Sequence, residues 1–374
     1  MKWKIPLYKI YHDEADTKIV TEVIERGTYW TNGPENTQLE KELSSYLGTK
    51  FVLTFANGTS ALHAMLLAHG IGKADEVIVP SFTFISTANS VLFTGAKPVF
   101  ADIENLTYGL DPEDVRKKIT DKTKAIMPIH YGGCPAIKIR ELAEIAEEND
   151  LLLLEDNAES LGAQINGKKT GSFGDSSMLS FCANKIITGG EGGAITTNSE
   201  EIYEKLKLLR SHGREEKENY FESNKTMDYV SLGYNYRMPT LIAALILSQL
   251  RKIDNIISLR REAADLYDNY LQDINVKHPP KNELIHHVYQ MYTIEVTADT
   301  RDALMKYLEK QGIMSKVYFD PIHKTHFYKT VLNYNDKLSA TENISDKVLT
   351  LPLFAGMHEE EIKIISGAIK NFMK

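Results

Sequence analysis

The sequence predicts an α/β protein, with a mostly parallel sheet covered by helices on both faces and a smaller α+β module after it. Short apolar runs alternate with helical segments between residues 51 and 197, which is typical of a parallel sheet. The pattern changes near residue 240, where a long helical stretch, 239–274, begins. A chain of 374 residues can form more than one domain. We therefore expect a large domain over 1–245 and a small one over 246–374.

The apolar runs bound the predicted strands of the large sheet, which are 51–56, 76–80, 98–103, 125–130, 151–156, 177–181 and 193–197. Ligands of such sheets lie beyond the carboxyl ends of the strands. The polar or aromatic residues at those ends are Asn57 to Ser60, Phe84, His130, Asp156 and Lys185. In the small module, strands are predicted over 289–296 and 314–319, and helices over 301–312 and from about 358.

Composition excludes several classes of protein. The formal net charge is −8 and no basic tract is present, which argues against a nucleic-acid-binding protein. The apolar run 241–247 is far too short to cross a bilayer, so no membrane association is expected. With only two cysteines, Cys134 and Cys182, no disulfide framework is predicted. A reducing, cytoplasmic location is expected.

Lys185 stands between an apolar run and a glycine-rich stretch, in SFCANKIITGGEGGAI at 180–195. A lysine acts as a nucleophile when it is desolvated or lies beside other positive charge. Its neighbours Cys182, Ala183 and Ile186 favour partial burial. Lys185 is therefore a candidate nucleophile, and a loop lysine that only packs its aliphatic stem is the competing interpretation of this segment alone.

Asp156 ends the fully apolar run LLLLED at 151–156. A carboxylate in that position is costly unless it finds a partner. Pyridoxal 5′-phosphate (PLP) needs a carboxylate beside its pyridine nitrogen, because the protonated ring is the electron sink of its chemistry. Asp156 fits that role, and a carboxylate that caps the next helix is the alternative.

Asn57-Gly58-Thr59-Ser60 joins a predicted strand to a predicted helix. The N-terminus of a helix offers free N–H groups and a positive dipole end, and both favour a phosphate. Gly58 permits close approach of the backbone, and Thr59 adds a hydroxyl group. Ser180, five residues before Lys185, is a second candidate hydroxyl. No Walker or dinucleotide motif is present, and no metal ligand is assigned.

Taken together, these segments resemble the DegT/DnrJ/EryC1/StrS family of sugar aminotransferases, which has the aspartate aminotransferase-like fold type I. The resemblance covers nearly the whole chain and is carried by several ordered motifs: GTYWTNGP (27–34), NGTSAL (57–62), EDNAESLGA (155–163), GSFGDSSMLSFCANK (171–185), GYNYRM (233–238) and SKVYFDPIH (315–323).

This resemblance implies a role for each matching residue. Lys185 would form the Schiff base to PLP, and Asp156 would pair with the pyridine nitrogen. Phe84 would stack on the cofactor ring, and Glu159 would lie near the ring hydroxyl. Asn235 would reach the cofactor phosphate of a neighbouring subunit, so the resemblance implies a homodimer with shared active sites.

The resemblance also implies L-glutamate as amino donor and a nucleotide-linked keto-deoxysugar as acceptor, in amino-sugar or O-antigen polysaccharide biosynthesis. Tyr318 and His323 would face the substrate. Many members carry Gln where Glu159 stands, and glutamate is more similar to the perosamine synthase-like branch. That favours a 4-keto-6-deoxyhexose, with a 3-keto sugar as the runner-up. A carboxylate beside the ring hydroxyl would need a proton or a nearby cation.

Two other classes of fold type I protein remain as alternatives. A transcription regulator would need an added DNA-binding region, for which neither terminus has a basic segment. A PLP lyase such as a cysteine desulfurase would need a mobile catalytic cysteine, and Cys134 is the candidate.

Overall fold

The computed structural model describes residues 3–215, 220 and 223–374. Its main sheet has seven strands in the order β1-β9-β8-β5-β4-β2-β3. Strand β9 runs antiparallel to both of its neighbours, and the other pairs are parallel, so the predicted mostly parallel sheet is confirmed. The strands of this sheet are β1 (Phe51–Phe55), β2 (Glu76–Pro80), β3 (Lys97–Ala101), β4 (Thr123–Ile126), β5 (Leu152–Asp156), β8 (Ser176–Ser180) and β9 (Gly193–Thr197).

Helices cover both faces of the sheet because alternate strand residues bury to opposite sides. Val77 and Val79 of β2 pack in one core cluster with helices α3, α4 and α7, whereas Ile78 packs in another with α5 and α6. The helices up to the end of the sheet are α1 (Glu14–Arg26), α2 (Pro34–Leu47), α3 (Gly58–Ala68), α4 (Ser86–Phe93), α5 (Pro112–Lys118), α6 (Ile139–Glu148) and α7 (Glu200–Arg210).

The predicted helical stretch 239–274 is two helices, α8 (Thr240–Leu250) and α9 (Ile253–Leu271). They separate at Lys252, whose ammonium group pairs with Asp13 at 2.6 Å and with Asp16 at 2.8 Å. Helix α8 packs on α1 and α2, and α9 joins the C-terminal core. Residue 245 therefore lies inside a helix, and the division into two domains there remains a proposal.

The C-terminal core is built on a short antiparallel pair, β11 (Tyr292–Glu295) with β12 (Val348–Leu351). The helices that follow α9 are α10 (Ala298–Lys310), α11 (Ser339–Ser345) and α12 (Glu359–Met373). A small sheet joins β10 (Ile285–His286) to β6 (Gln164–Ile165) and β7 (Lys168–Lys169).

The strand predicted over 314–319 does not form. Only Lys316 makes a strand-like bridge there, with Thr350, and the following residues Tyr318 and Phe319 line a cavity instead. Among the described residues, no helix has the length and apolar character needed to span a membrane.

Candidate active site

A cavity of about 700 Å³ opens at the carboxyl ends of the central strands. The residues singled out from the sequence that line it are Asn57, Gly58, Thr59, Phe84, His130, Asp156, Glu159, Ser180, Lys185 and Tyr318. They converge because parallel strands end at one edge of the sheet, so segments far apart in sequence meet there.

Lys185 lies in the connection between β8 and β9, which form an antiparallel hairpin. Both sides of this connection are held close to the sheet, since Phe181 donates its N–H to the carbonyl of Gly192 and accepts one from Gly189. Lys185 itself donates its N–H to the carbonyl of Cys182 at 3.0 Å. The lysine side chain is 13% exposed, so its amine is held in a short, largely buried segment.

The Lys185 ammonium group lies 3.5 Å from Glu159 Oε1. The other oxygen, Oε2, accepts the N–H of Gly132 at 2.9 Å, which fixes the carboxyl group between backbone and lysine. Lys185 is thus the cationic partner of Glu159.

Asp156, at the end of β5, is held by two hydrogen bonds. Thr87 Oγ1 donates to Oδ2 at 2.8 Å, and the N–H of Ala158 donates to Oδ1 at 3.2 Å. Burial raises the pKa of Asp156, and these hydrogen bonds and the charge of Lys185 offset burial only in part. A ligand that brought a cationic N–H to this carboxylate would supply the stabilisation that the protein leaves incomplete.

The N-terminus of α3 forms the opposite wall. Asn57 caps the helix by accepting the N–H of Ser60 at 2.8 Å, and this leaves the N–H groups of Gly58 and Thr59 to a ligand. A Cβ at residue 58 would lie 3.2 Å from Cβ of Ser180, so glycine allows helix and strand end to approach. This donor set suits a phosphate, and the buried Asp156 suits a protonated pyridine ring, so the residues present fit PLP.

Phe84 and Phe319 lie at the rim, with ring centroids 6.3 Å apart, and the Phe84 residue is 57% exposed. The cavity also uses residues that the sequence argument did not single out. One of them is Thr87, which holds Asp156 and is the second residue of α4, a helix whose first turn is rich in Ser and Thr. Hydroxyl groups near a predicted phosphate site were the available signal for Thr87.

His323 does not line the cavity, and its contact with substrate remains a prediction. It is 3% exposed, its Nδ1 lies 2.7 Å from Ser81 Oγ, and its N–H donates to the same oxygen. The turn at 322–324 thus ties the C-terminal module to the end of β2. Asn235 also lies outside the cavity of its own chain, and pairs with Ser211 in an isolated bridge.

Cys134, the candidate nucleophile of a desulfurase, is 2% exposed, and burial raises the pKa of its thiol. A thiol in that state is neither mobile nor readily ionised, which removes the physical basis for that alternative. Cys182 lines the cavity beside Glu191, with Sγ 3.8 Å from Oε1.

Comparison with known proteins agrees with this geometry. The family model described as the DegT/DnrJ/EryC1/StrS aminotransferase family matches residues 11–370. The chain is 35% identical to a GDP-perosamine synthase of Vibrio cholerae over 98% of this chain and 99% of that protein. It is 35% identical to a UDP-N-acetyl-3-dehydro-α-D-glucosamine 3-aminotransferase of Acidithiobacillus ferrooxidans, over 90% of this chain and 88% of that protein.

Among solved structures, the PLP form of the putative sugar aminotransferase Spr1654 from Streptococcus pneumoniae superimposes with a TM-score of 0.90. It is 26% identical and covers 100% of this chain and 98% of its own. The expected fold type I architecture is thereby confirmed, and PLP is the cofactor. The chain belongs to the DegT/DnrJ/EryC1/StrS aminotransferase family and is a PLP-dependent transaminase.

Proposed function

We propose that this enzyme transfers the amino group of L-glutamate to the keto carbon of a nucleotide-linked 4-keto-6-deoxyhexose. The observation that carries the proposal is the single cavity that unites Lys185, Asp156 and the N-terminus of α3. Similarity to a GDP-perosamine synthase over nearly the whole chain favours a 4-keto sugar. An equally similar relative that acts on a 3-dehydro UDP-sugar keeps a 3-keto sugar as the second candidate.

The cavity residues predicted from the sequence each have a part in this proposal. Gly58, Thr59 and Ser180 hold the cofactor phosphate through N–H and hydroxyl groups. Asp156 would accept the N–H of the pyridine ring and keep that proton in place, and Lys185 would hold the cofactor covalently and move protons at the reacting carbon. When bound, PLP supplies the electron sink that transamination requires.

The rest of the cavity wall excludes water and positions the ligands. Phe84 covers the cofactor ring, Glu159 stays beside the Lys185 amine, and Tyr318 faces the sugar. We also propose a cytoplasmic location, which the two unpaired cysteines favour.

A half-reaction screen tests the substrate. The pyridoxamine form of the enzyme is mixed with 4-keto-6-deoxy and 3-keto nucleotide sugars, the free keto sugars and simple 2-oxo acids, and recovery of the visible absorbance of the PLP form is followed. The 4-keto-6-deoxy nucleotide sugar should react fastest, and its free sugar at least roughly a hundredfold more slowly, because remote binding energy lowers the barrier. Fastest recovery with a 3-keto sugar, or with a 2-oxo acid, would contradict the assignment.

We extend the proposal to a homodimer in which Asn235 completes the neighbouring subunit's site. Tyr229, Val230 and Leu232 precede Asn235 and are 57%, 55% and 79% exposed. Such a patch of exposed apolar side chains is typical of a protein–protein interface. A second copy of this chain would bury it, because the same patch on each subunit can pack reciprocally across a two-fold axis.

Subunit mixing tests the shared site. Lys185→Ala and Asn235→Ala proteins should each be inactive or nearly so, because each lacks one component of every site. After random exchange, about a quarter of the wild-type activity should return, since half of the dimers carry one intact site. No recovery after subunit exchange proven by mass spectrometry would rule out a shared site.

A further inference from the structure

The charged side chains that line the cavity differ in whether they form an ion pair. Three carboxylates, Asp156, Glu159 and Glu191, face two ammonium groups, Lys185 and Lys316. Lys185 lies beside Glu159, as described above. Over residues 3–215, 220 and 223–374, no carboxylate lies within ion-pair distance, 4.0 Å, of the Lys316 ammonium group. Lys316 is therefore a cavity cation that forms no ion pair with a carboxylate of the described residues.

Lys316 is nevertheless held in place. Its backbone exchanges two hydrogen bonds with Thr350, at 3.1 and 2.8 Å. Its ammonium nitrogen lies 4.8 Å from the centroid of the Tyr318 ring, a cation–π contact. Such a contact orients the cation without neutralising it, because the aromatic ring carries no net charge. Lys316 thus keeps its N–H donors for an anion.

The position of Lys316 indicates the kind of anion. The residue is exposed and lies at the rim with Phe319, whereas the donors suited to the cofactor phosphate lie at the start of α3. At an exposed site a single carboxylate gains little binding energy from a lysine, because water screens the pair. A diphosphate carries more charge and gains proportionally more Coulomb energy. It is also the ligand that most needs a local cation, because the protein's net charge is −8.

Resting on the function proposed above, we propose that Lys316 is the subsite for the diphosphate of the nucleotide-sugar acceptor. The diphosphate lies at the cavity rim against the lysine, with the nucleoside beyond it and the sugar inside. The amino donor offers carboxylates, which share the same anionic chemistry, so the experiment must separate the two ligands.

The test uses the pyridoxamine form of the holoenzyme and nucleoside diphosphates without a sugar, GDP, dTDP and UDP, which bind but cannot react. For the diphosphate that binds most tightly to wild type, Lys316→Ala should raise Kd about tenfold, the lower range for a hydrogen bond to a charged group. Lys316→Arg should restore most of the affinity. Lys329→Ala is the matched control, because Lys329 is also an exposed lysine of the C-terminal module but does not line the cavity.

The two anions are separated by a second titration, in which L-glutamate converts the PLP form of the enzyme and the half-saturating concentration is measured. The proposal requires the larger change in Lys316→Ala to fall on the nucleoside diphosphate. A larger change for glutamate would make Lys316 a donor site, and equal Kd values for wild type and Lys316→Ala would refute the subsite. A protein that binds nucleoside diphosphates through Lys316 but aminates no 4-keto sugar would refute only the proposed sugar.

Discussion

Glu155 and Asp156 are adjacent carboxylates on β5, and they point to opposite faces of the sheet. Glu155 is fully buried and accepts four hydrogen bonds: from His130 Nε2 at 3.0 Å and from the N–H groups of Gly171, Phe173 and Gly174 at 2.8, 2.6 and 2.9 Å. The N–H of Ala136 donates to His130 Nδ1, so the imidazole proton lies on Nε2, toward Glu155.

The pKa values of the two carboxyl groups move in opposite directions. For both, burial is the largest influence and favours the neutral acid. The hydrogen bonds to Glu155 outweigh burial and lower its pKa, whereas Asp156 has fewer donors and its pKa is raised. The comparison indicates that a buried carboxylate with a full set of hydrogen-bond donors from the protein stabilises the fold. A buried carboxylate with too few donors is available to bind a ligand.

The largest expected effect is on turnover. Asp156→Asn should slow both half-reactions by roughly 10²- to 10³-fold, the range for loss of one preorganised electrostatic group, because an amide cannot hold the pyridinium proton. Single-turnover absorbance measurements with glutamate would show it. Near-normal rates would mean that Asp156 is a structural cap and that the contrast with Glu155 is not functional.

Stability supplies the control for this variant. Since the native pKa of Asp156 is raised, its burial costs stability once the pH exceeds the unfolded-state value of about 3.9, and costs nothing below it. Cofactor-free Asp156→Asn should therefore melt at or above the wild-type temperature at neutral pH. That advantage should fade on acidification. A clearly lower melting temperature at pH 7 would assign Asp156 to the fold.

The second effect is on folding. Glu155→Gln should lower the free energy of unfolding by about 3 kcal/mol, because one oxygen becomes an amide nitrogen that cannot accept the two hydrogen bonds made there. Urea denaturation of the cofactor-free protein at pH 7 would measure the loss.

The sign of the pH dependence distinguishes Glu155 from Asp156. The native pKa of Glu155 is depressed, so its contribution is present above the unfolded-state value of about 4.3 and disappears as the pH falls through the native value. The stability of Glu155→Gln should converge on wild type in acid. A variant as stable as wild type at neutral pH would show that the four hydrogen bonds do not require a charge.

The sequence predicted Asp156 as a site residue because it is an acidic residue at the end of an apolar run. Glu155 is also acidic and lies at the end of the same run, so the pattern does not distinguish the two. Their roles differ because the side chains point to opposite faces of the sheet, where Glu155 meets His130 and the N–H groups of the loop 171–174 from a later part of the chain. Local sequence patterns contain no information about which distant segment of the chain contacts a given residue. For the same reason the orientation of β9 and the burial of His323 against Ser81 could not be read from periodicity.

Other differences arose where tertiary packing overrode local propensity. The apolar segment 314–319 has the composition of a strand, yet only Lys316 pairs with β12, because the following aromatic residues contact the cavity wall. The helix predicted over 239–274 divides at Lys252, whose ammonium group pairs with Asp13, the N-cap of α1, and with Asp16 in its first turn. Hydrophobic periodicity over a short stretch of sequence gives no information on ion pairs between distant segments.

The reversed direction of β9 has a consequence for turnover. Because β8 and β9 form a hairpin, Lys185 is tethered at both ends within a closed loop whose base pairs Ser180 with Gly193. In the function proposed above, a Lys185 amine displaced by the incoming donor would stay within this loop, so its effective concentration at the reacting carbon would remain far above any attainable in free solution. The same short loop that would present Lys185 as a nucleophile would also keep it in place as a base.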